Sequence, residues 1–191
     1  MKLLYRAKRF GFESGEESAM LFGLDGMPLE MPVLYVMRKL RPKGDAANTI
    51  FNKMVAISVL YTWLDSTLDK GAGKQGINIL ERFRRGQHLS EDELESLKDF
   101  CGKSFNLSDS NDVSEIKAIK VVQSPRGNKK IHTMRTVDTP SVGSSTKYAR
   151  MTYIGQYLKW LALHMANQNK RKVVKSTRME VREMVNDFLE K

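Results

Sequence analysis

The chain has 191 residues, of which 41% are hydrophobic, and its formal net charge is +10 at pH 7. This is enough for one ordinary folded domain or two small ones. No apolar run approaches the roughly 18 residues of a membrane span, and the N-terminus becomes charged too early for a secretory signal, so we expect a cytoplasmic protein without a membrane partner. The single Cys101 excludes an internal disulfide and a Cys-rich zinc site.

The N-terminal segment is predicted to contain strands and turns. Residues 19–24 and 29–40 are rich in Val, Leu, Tyr and Met, and Asp25-Gly26 between them is typical of a β-hairpin turn. The basic sequence RKLRPKG at 38–44 follows. It either binds phosphates or is a solvated linker, and the sequence leaves both readings open.

Two helices are predicted next. Apolar residues at helical spacing from Ile50 to Leu64 indicate an amphipathic helix over about 46–67. Ser90 and Glu93 have the spacing of a capping box, which predicts a short helix over 90–101. The residues between these helices, including RFRRG at 82–86, are expected to form a loop.

A polar, turn-forming segment then interrupts the helical pattern, and we expect an insertion over about 104–143. Within it, residues 116–122 and 130–137 alternate apolar with polar or basic residues around Ser-Pro-Arg-Gly-Asn, which predicts a β-hairpin. Such a basic ribbon can enter a groove or follow phosphates, and it can equally be a plain surface hairpin.

Two more helices are predicted, over about 145–167 and 176–190. The first has two stripes, one centred on Met151, Ile154, Leu158, Leu161 and Met165, and one on Tyr153, Tyr157, Trp160 and His164. A helix that is apolar on two sides is central to a bundle. We therefore expect Trp160 to be a core residue whose replacement by Ala costs about 3 to 5 kcal/mol.

The resulting prediction is a mainly α fold with small β elements. A small β-containing unit, residues 1–43, precedes a helical domain, residues 44–191, which carries the hairpin insertion. The order of elements, with the pattern Arg-x-x-x-Ile-x-x-Tyr-Leu-x-Trp-Leu at 150–161, resembles the N-terminal half of phage-type integrases, which are tyrosine site-specific recombinases. The resemblance covers chiefly residues 46–67 and 144–190 and consists mostly of hydrophobic spacing.

The resemblance implies a SAM-like core-binding domain, a bundle of four to five helices that closes one side of a clamp around recombination-site DNA. Many members of the family add a small N-terminal arm-binding domain, and whether residues 1–43 bind arm sites is left open. The resemblance also implies that other recombinase protomers bind the same DNA. The function expected from it is DNA binding for the integration and recombination of a mobile element. A free-standing regulator of a mobile element, excisionase-like or repressor-like, is the alternative.

No catalytic residue, cofactor, metal or small-molecule substrate is expected in this chain. In the family the catalytic domain follows the core-binding domain, so the resemblance implies a non-catalytic N-terminal part. His132-Thr133-Met134-Arg135 has the family's His-x-x-Arg spacing. It lies in the predicted hairpin, however, before the core-binding helix instead of after it, and we do not assign it to catalysis.

The distribution of charge favours a polyanionic partner. Residues 117–191 hold 16 Lys and Arg against 5 Asp and Glu, whereas residues 1–116 hold 16 against 17. Phosphate contacts dominate duplex binding, and helix N-termini with Ser or Thr hydroxyls suit phosphate oxygens. The predicted DNA-binding residues, expected on one rim of the bundle, are Asn48, Thr49, Lys53, Arg135, Ser145, Thr146, Lys147, Arg150, Arg171, Lys172, Lys175 and Arg178.

Overall fold

A computed structural model describes residues 3–66, 76–105, 141–168 and 175–190. The protein is mainly helical with one small antiparallel sheet, as the sequence predicts. In chain order the elements are β1 (Arg6–Gly11), β2 (Glu17–Phe22), α1 (Glu30–Tyr35), a π-helix (Val36–Leu40), α2 (Ala47–Ser66), α3 (Ile79–Arg85), α4 (Glu91–Cys101), α5 (Ser144–Gln168) and α6 (Lys175–Leu189). The hairpin predicted at 116–137 lies outside the described residues.

The N-terminal hairpin uses one of the two predicted segments, since β2 overlaps residues 19–24, but its partner is β1 and not residues 29–40. β1 pairs with β2, with Arg6 opposite Phe22 and Gly11 opposite Glu17. The connecting turn contains Gly15 at φ +80°, a left-handed conformation that glycine adopts without steric cost. Ala19 and Leu21 of β2 are fully buried, so this small sheet covers α2 with its second strand.

Residues 29–40, which were predicted to be a strand, are helical, and this prediction was wrong. The buried residues are Met31, Pro32, Tyr35, Val36 and Leu40, which recur at the spacing of a helix and not of a strand. Pro32 lies in the first turn of α1, where its missing N–H removes no helical hydrogen bond. The predicted Asp25-Gly26 turn does exist and joins Phe22 to Pro28 in an antiparallel bridge, but the chain continues from there into α1 and not into a strand.

The long helices begin and end close to the predicted residues, and the capping box of α4 is confirmed. Ser90 Oγ accepts from the Glu93 amide at 3.3 Å, and Glu93 Oε2 accepts from the Ser90 amide at 2.9 Å. The predicted loop over 82–86 was wrong, because those residues belong largely to α3. Asn78 caps α3 by accepting from the Glu81 amide, and Gly86 ends it at φ +76°.

One hydrophobic core joins the N-terminal residues to the helices in the described part of the chain. It includes Leu21, Tyr35, Leu60, Tyr157 and Phe188, which come from β2, α1, α2, α5 and α6.

Helix α5 is central to this core, as its two apolar stripes predict. Ile154, Leu158 and Leu161 are fully buried, and α5 packs on both α2 and α6. Gly155 permits a close approach, since a Cβ added there would lie 3.4 Å from Val185 Cγ1 of α6.

The second stripe of α5 is only partly buried. Tyr157 is fully buried, but Tyr153, Trp160 and His164 are half-buried. Trp160 packs against the core without being fully buried, so the prediction that it is a core residue is confirmed only in part. The fully buried tryptophan is Trp63 of α2, which is 1% exposed. Trp160 packs on Tyr35 of α1, with ring centroids 5.1 Å apart, and a surface cavity lies beside Trp160 and His164.

Candidate nucleic-acid interface

The N-terminal turn of α5 presents polar groups, as predicted. Ser145 and Thr146 are exposed, and Lys147 is half-buried with its aliphatic chain beside Gly102 at the end of α4. The amides of Thr146 and Lys147 both donate to the carbonyl of Gly143, at 3.0 and 3.1 Å. These two amides are therefore occupied within the chain, and the hydroxyls and the Lys147 ammonium are the groups that remain for a phosphate.

Arg150 lies in the same part of α5 but has a structural role. Its Nη1 donates to the carbonyls of Cys101 and Lys103, at 2.9 and 2.8 Å, and its guanidinium lies over the Phe105 ring at 5.2 Å. Carbonyls at a helix C-terminus have no partner within the helix, so Arg150 supplies one for α4. Arg150 is thus removed from the predicted set of free phosphate contacts.

Replacing Arg150 by Gln should lower the free energy of unfolding by about 1 to 2 kcal/mol, since charge-assisted hydrogen bonds to two carbonyls are lost. Replacing Lys147 by Gln should change that free energy by less than about 0.5 kcal/mol. Denaturant unfolding of both variants checks this difference. An Arg150 variant as stable as the unmodified chain would return Arg150 to the candidate contacts.

At the start of α2 the three predicted residues differ in exposure. Asn48 is exposed, Thr49 is half-buried and Lys53 is 5% exposed. Lys53 Nζ donates to Asp45 Oδ2 at 2.5 Å. A buried ammonium that is paired in this way is not available to a phosphate, so the prediction for Lys53 is corrected.

The Lys53 pair also sets the ionisation of Asp45. Burial alone would raise the pKa of the Asp45 carboxyl, but the hydrogen bond and charge of Lys53, with the charge of Lys43, bring the pKa below its ordinary value. The carboxylate is therefore charged at neutral pH and neutralises Lys53.

The remaining predicted residues lie in or near α6. Arg178 is exposed on the first turns of α6, and α6 begins at Lys175. Arg135, Arg171, Lys172 and the side chain of Lys175 lie outside the described residues. Arg178 lines a surface cavity together with Lys159, Leu163 and Asn167 of α5.

The predicted DNA-binding residues that the structure describes do not lie on one rim of the bundle. Lys147 precedes Lys159 by 12 residues on α5, which is about 18 Å along a helix axis. The N-terminal turn of α5 and Arg178 therefore lie at separate places along this helix. Lys53, near the start of α2, lines the same cavity as Lys159 of α5. Because Lys159 also lines a cavity with Arg178, the start of α2 lies closer to Arg178 than a rim through Lys147 would suggest.

Two adjoining cavities run beside α5 and form what we call the basic groove. One is about 500 Å³ and lies between the π-helix and α5, and the other is about 400 Å³ and lies between α5 and α6. Lys159, Leu163 and Asn167 line both cavities, which makes the groove continuous. The cations that line the groove are Lys39, Lys43, Lys53, Lys159, Arg178 and Arg182.

The groove is strongly cationic. No acidic side chain lines either cavity in the ranges that the structure describes. Lys39, Lys159, Arg178 and Arg182 are exposed and form no ion pair with a described residue. Four exposed cations at one concave surface, none of them paired with a described carboxylate, create a positive potential that attracts anions.

Three of these four cations were missed as binding residues at the sequence level. Lys39 was noted only within RKLRPKG, and neither Lys159 nor Arg182 was singled out as a binding residue. The spacing of Arg178 and Arg182, four residues apart on α6, would have placed them on one helical face. Their proximity to Lys159 depends on how α5 and α6 pack.

Aromatic side chains form one end of the groove. Trp160 and His164 are stacked, with ring centroids 4.9 Å apart and planes inclined by 7°, and Tyr35 lies 5.1 Å from Trp160. Burial and the nearby Arg38 lower the pKa of His164 below its ordinary value, against the opposing effect of Glu30. His164 is therefore a neutral aromatic ring at pH 7.

Nothing in the described residues forms a metal site, since no group of three His, Cys, Asp or Glu side chains is placed to hold an ion. None of the described helices is long and apolar enough to cross a membrane. Burial raises the pKa of the Cys101 thiol to about 12, so this cysteine is not a thiolate nucleophile at neutral pH.

Comparisons with protein-family models, with curated proteins and with solved structures found no match to this chain.

Proposed function

We propose that this chain binds double-stranded DNA, and that the basic groove beside α5 holds the phosphate backbone. The supporting observation is the set of four exposed cations, Lys39, Lys159, Arg178 and Arg182, that surrounds a groove with no acidic side chain among its described lining residues. Cations of this kind bind a polyanion mainly by releasing its counterions. The excess of basic residues over 117–191 adds to the same potential.

The proposed biological role is that of the non-catalytic N-terminal part of a phage-type tyrosine recombinase. This part would grip recombination-site DNA beside other protomers during integration of a mobile element, and would be associated with the nucleoid. The support is the resemblance of residues 150–161 to the family pattern, together with the central place of α5 in a helical bundle. In this proposal the hydroxyls of Ser145 and Thr146, with Lys147, form a second phosphate contact about 18 Å from Lys159.

A charge-matched pair of variants tests the groove. Replacing Lys159 and Arg182 by Gln should weaken duplex binding and reduce the magnitude of the slope of log K against log salt concentration by about 1.8, the value for two duplex phosphates. The control replaces Arg84 and Arg85 of α3 by Gln, which removes the same charge from exposed positions that do not line the groove. Fluorescence anisotropy with labelled duplex measures both.

If both double variants reduce the slope equally, binding reflects net charge and the groove is not the site. If neither variant nor the unmodified chain binds duplex at low salt, the proposal of DNA binding fails altogether. A matched RNA duplex in the same titration separates DNA binding from general polyanion binding, and tighter binding to RNA would also contradict the proposal.

A further inference from the structure

The larger cavity of the groove combines two kinds of side chain that phosphate binding alone does not require. Its wall contains Trp160 and His164, which are half-buried and stacked, with the ring of Tyr35 behind them. Lys39, Lys43 and Lys159 line the same cavity. A phosphate needs the cations, but it gains nothing from a flat aromatic surface.

The cavity is large enough for a small-molecule ligand. Its volume is about 500 Å³, and small-molecule sites commonly occupy about 300 to 1,000 Å³. A nucleobase is planar and stacks on aromatic side chains, whereas its phosphate pairs with cations. The combination of half-exposed rings with lysines at their edge therefore has the chemistry of a nucleotide site.

The backbone conformation beside this cavity also supports a binding site. The π-helix Val36–Leu40 carries Lys39 to the cavity, and its residues Met37, Arg38 and Lys39 are all exposed. A π-helix is a costly local structure that is found frequently at functional sites. Here it places an exposed cation across the cavity from Lys159 of α5.

We infer that this cavity accepts one unstacked nucleotide of the bound nucleic acid, with its base stacked on the His164 ring and its phosphates near Lys39 and Lys159. The inference rests on the proposed DNA binding and extends it, because it distinguishes distorted or unpaired DNA from regular duplex. Trp160 is stacked with Tyr157 and with His164, at centroid distances of 6.0 and 4.9 Å, so a base would add to this stack at His164.

Tryptophan fluorescence can report on this site directly. The chain has two tryptophans, and replacing the buried Trp63 by Phe leaves Trp160 as the reporter, provided that circular dichroism shows an unchanged helical content. Three probes are then titrated at equal salt: a regular duplex, the same duplex with one unpaired adenine, and adenosine monophosphate. We expect quenching of Trp160 by the duplex with the unpaired base, and about five- to tenfold tighter binding than to the regular duplex.

Ring variants show whether that preference depends on the cavity. Replacing Trp160 by Leu should abolish the preference for the unpaired base and leave binding of the regular duplex within about twofold, whereas Trp160→Phe should retain most of the preference. Replacing His164 by Ala gives an independent test, because His164 is on the open end of the stack and its removal disturbs the core less.

Each outcome separates the two proposals. Equal binding of both duplexes without quenching of Trp160 overturns the nucleotide inference and leaves DNA binding by the groove intact. Quenching by adenosine monophosphate alone overturns it as well, since the cavity would then be a site for free nucleotides. Absence of binding to either duplex overturns both proposals together.

Discussion

Replacing Trp63 by Ala should lower the free energy of unfolding by about 3 to 5 kcal/mol, the range found when a large buried aromatic ring is removed. Trp63 is 1% exposed, and its indole Nε1 donates to Ser96 Oγ of α4 at 3.2 Å. The truncation would leave a cavity between α2 and α4 and would free the Ser96 hydroxyl from its partner. Denaturant-induced unfolding, monitored by circular dichroism, measures the change.

The matched control is the same truncation at Trp160. That ring is only partly buried beside the basic groove, so Trp160→Ala should cost less, about 1 to 2 kcal/mol. The difference between the two variants isolates burial, because the chemical change is identical. Equal losses would contradict the assignment of Trp160 to the surface and Trp63 to the core.

This pair of tryptophans illustrates what the sequence can and cannot predict. Helical spacing correctly identified α2 and α5 as core helices, because periodicity reports which side of a helix is apolar. It cannot report how far a second apolar stripe is covered, since that depends on which neighbour packs there. Along the second stripe of α5, Tyr157 is fully buried against Tyr61, with the two hydroxyls 2.8 Å apart, whereas Trp160 is left half-open.

The sequence predicts a structural feature correctly where the interacting residues are close together in the chain. Ser90 and Glu93 form the predicted capping box because both partners lie within one turn. The prediction for residues 29–40 was wrong because their hydrophobic composition favours a strand. The helical spacing of the buried residues depends on packing against α5 and β2. Propensity was overruled there by tertiary contacts.

The candidate site also has features that the sequence predicts and features that depend on tertiary packing. Residue type and net charge predicted a polyanion surface, and exposed Arg178 does lie in the groove. The choice among cations was less successful: Arg150 and Lys53 are held by backbone carbonyls and by Asp45, whereas Lys39 and Arg182 are free of described ion-pair partners. A sequence does not show which cations are already paired within the fold.

The pairing of Lys53 leads to the second large effect. Replacing Asp45 by Asn should lower the free energy of unfolding at pH 7 by about 3 kcal/mol, because it leaves the buried Lys53 ammonium without its counter-charge. The side chains of Lys53 and Asp45 are only 6% and 11% exposed. The second variant, Asp45→Asn with Lys53→Met, removes both charges and should recover most of the lost stability.

The pH dependence of Asp45→Asn supplies a further check with a definite sign. The folded-state pKa of Asp45 lies below its ordinary value of 3.8, so its contribution to stability is present above about pH 4 and is lost as the pH falls through the folded pKa. The difference in stability between the unmodified chain and Asp45→Asn should therefore be constant near neutrality and shrink below pH 3.8. A difference that is absent at pH 7, or that grows in acid, would show that the Lys53 pair does not stabilise this end of α2. If the pair holds, Lys53 orders the wall of the basic groove, and the cations that reach a bound phosphate are those exposed around it.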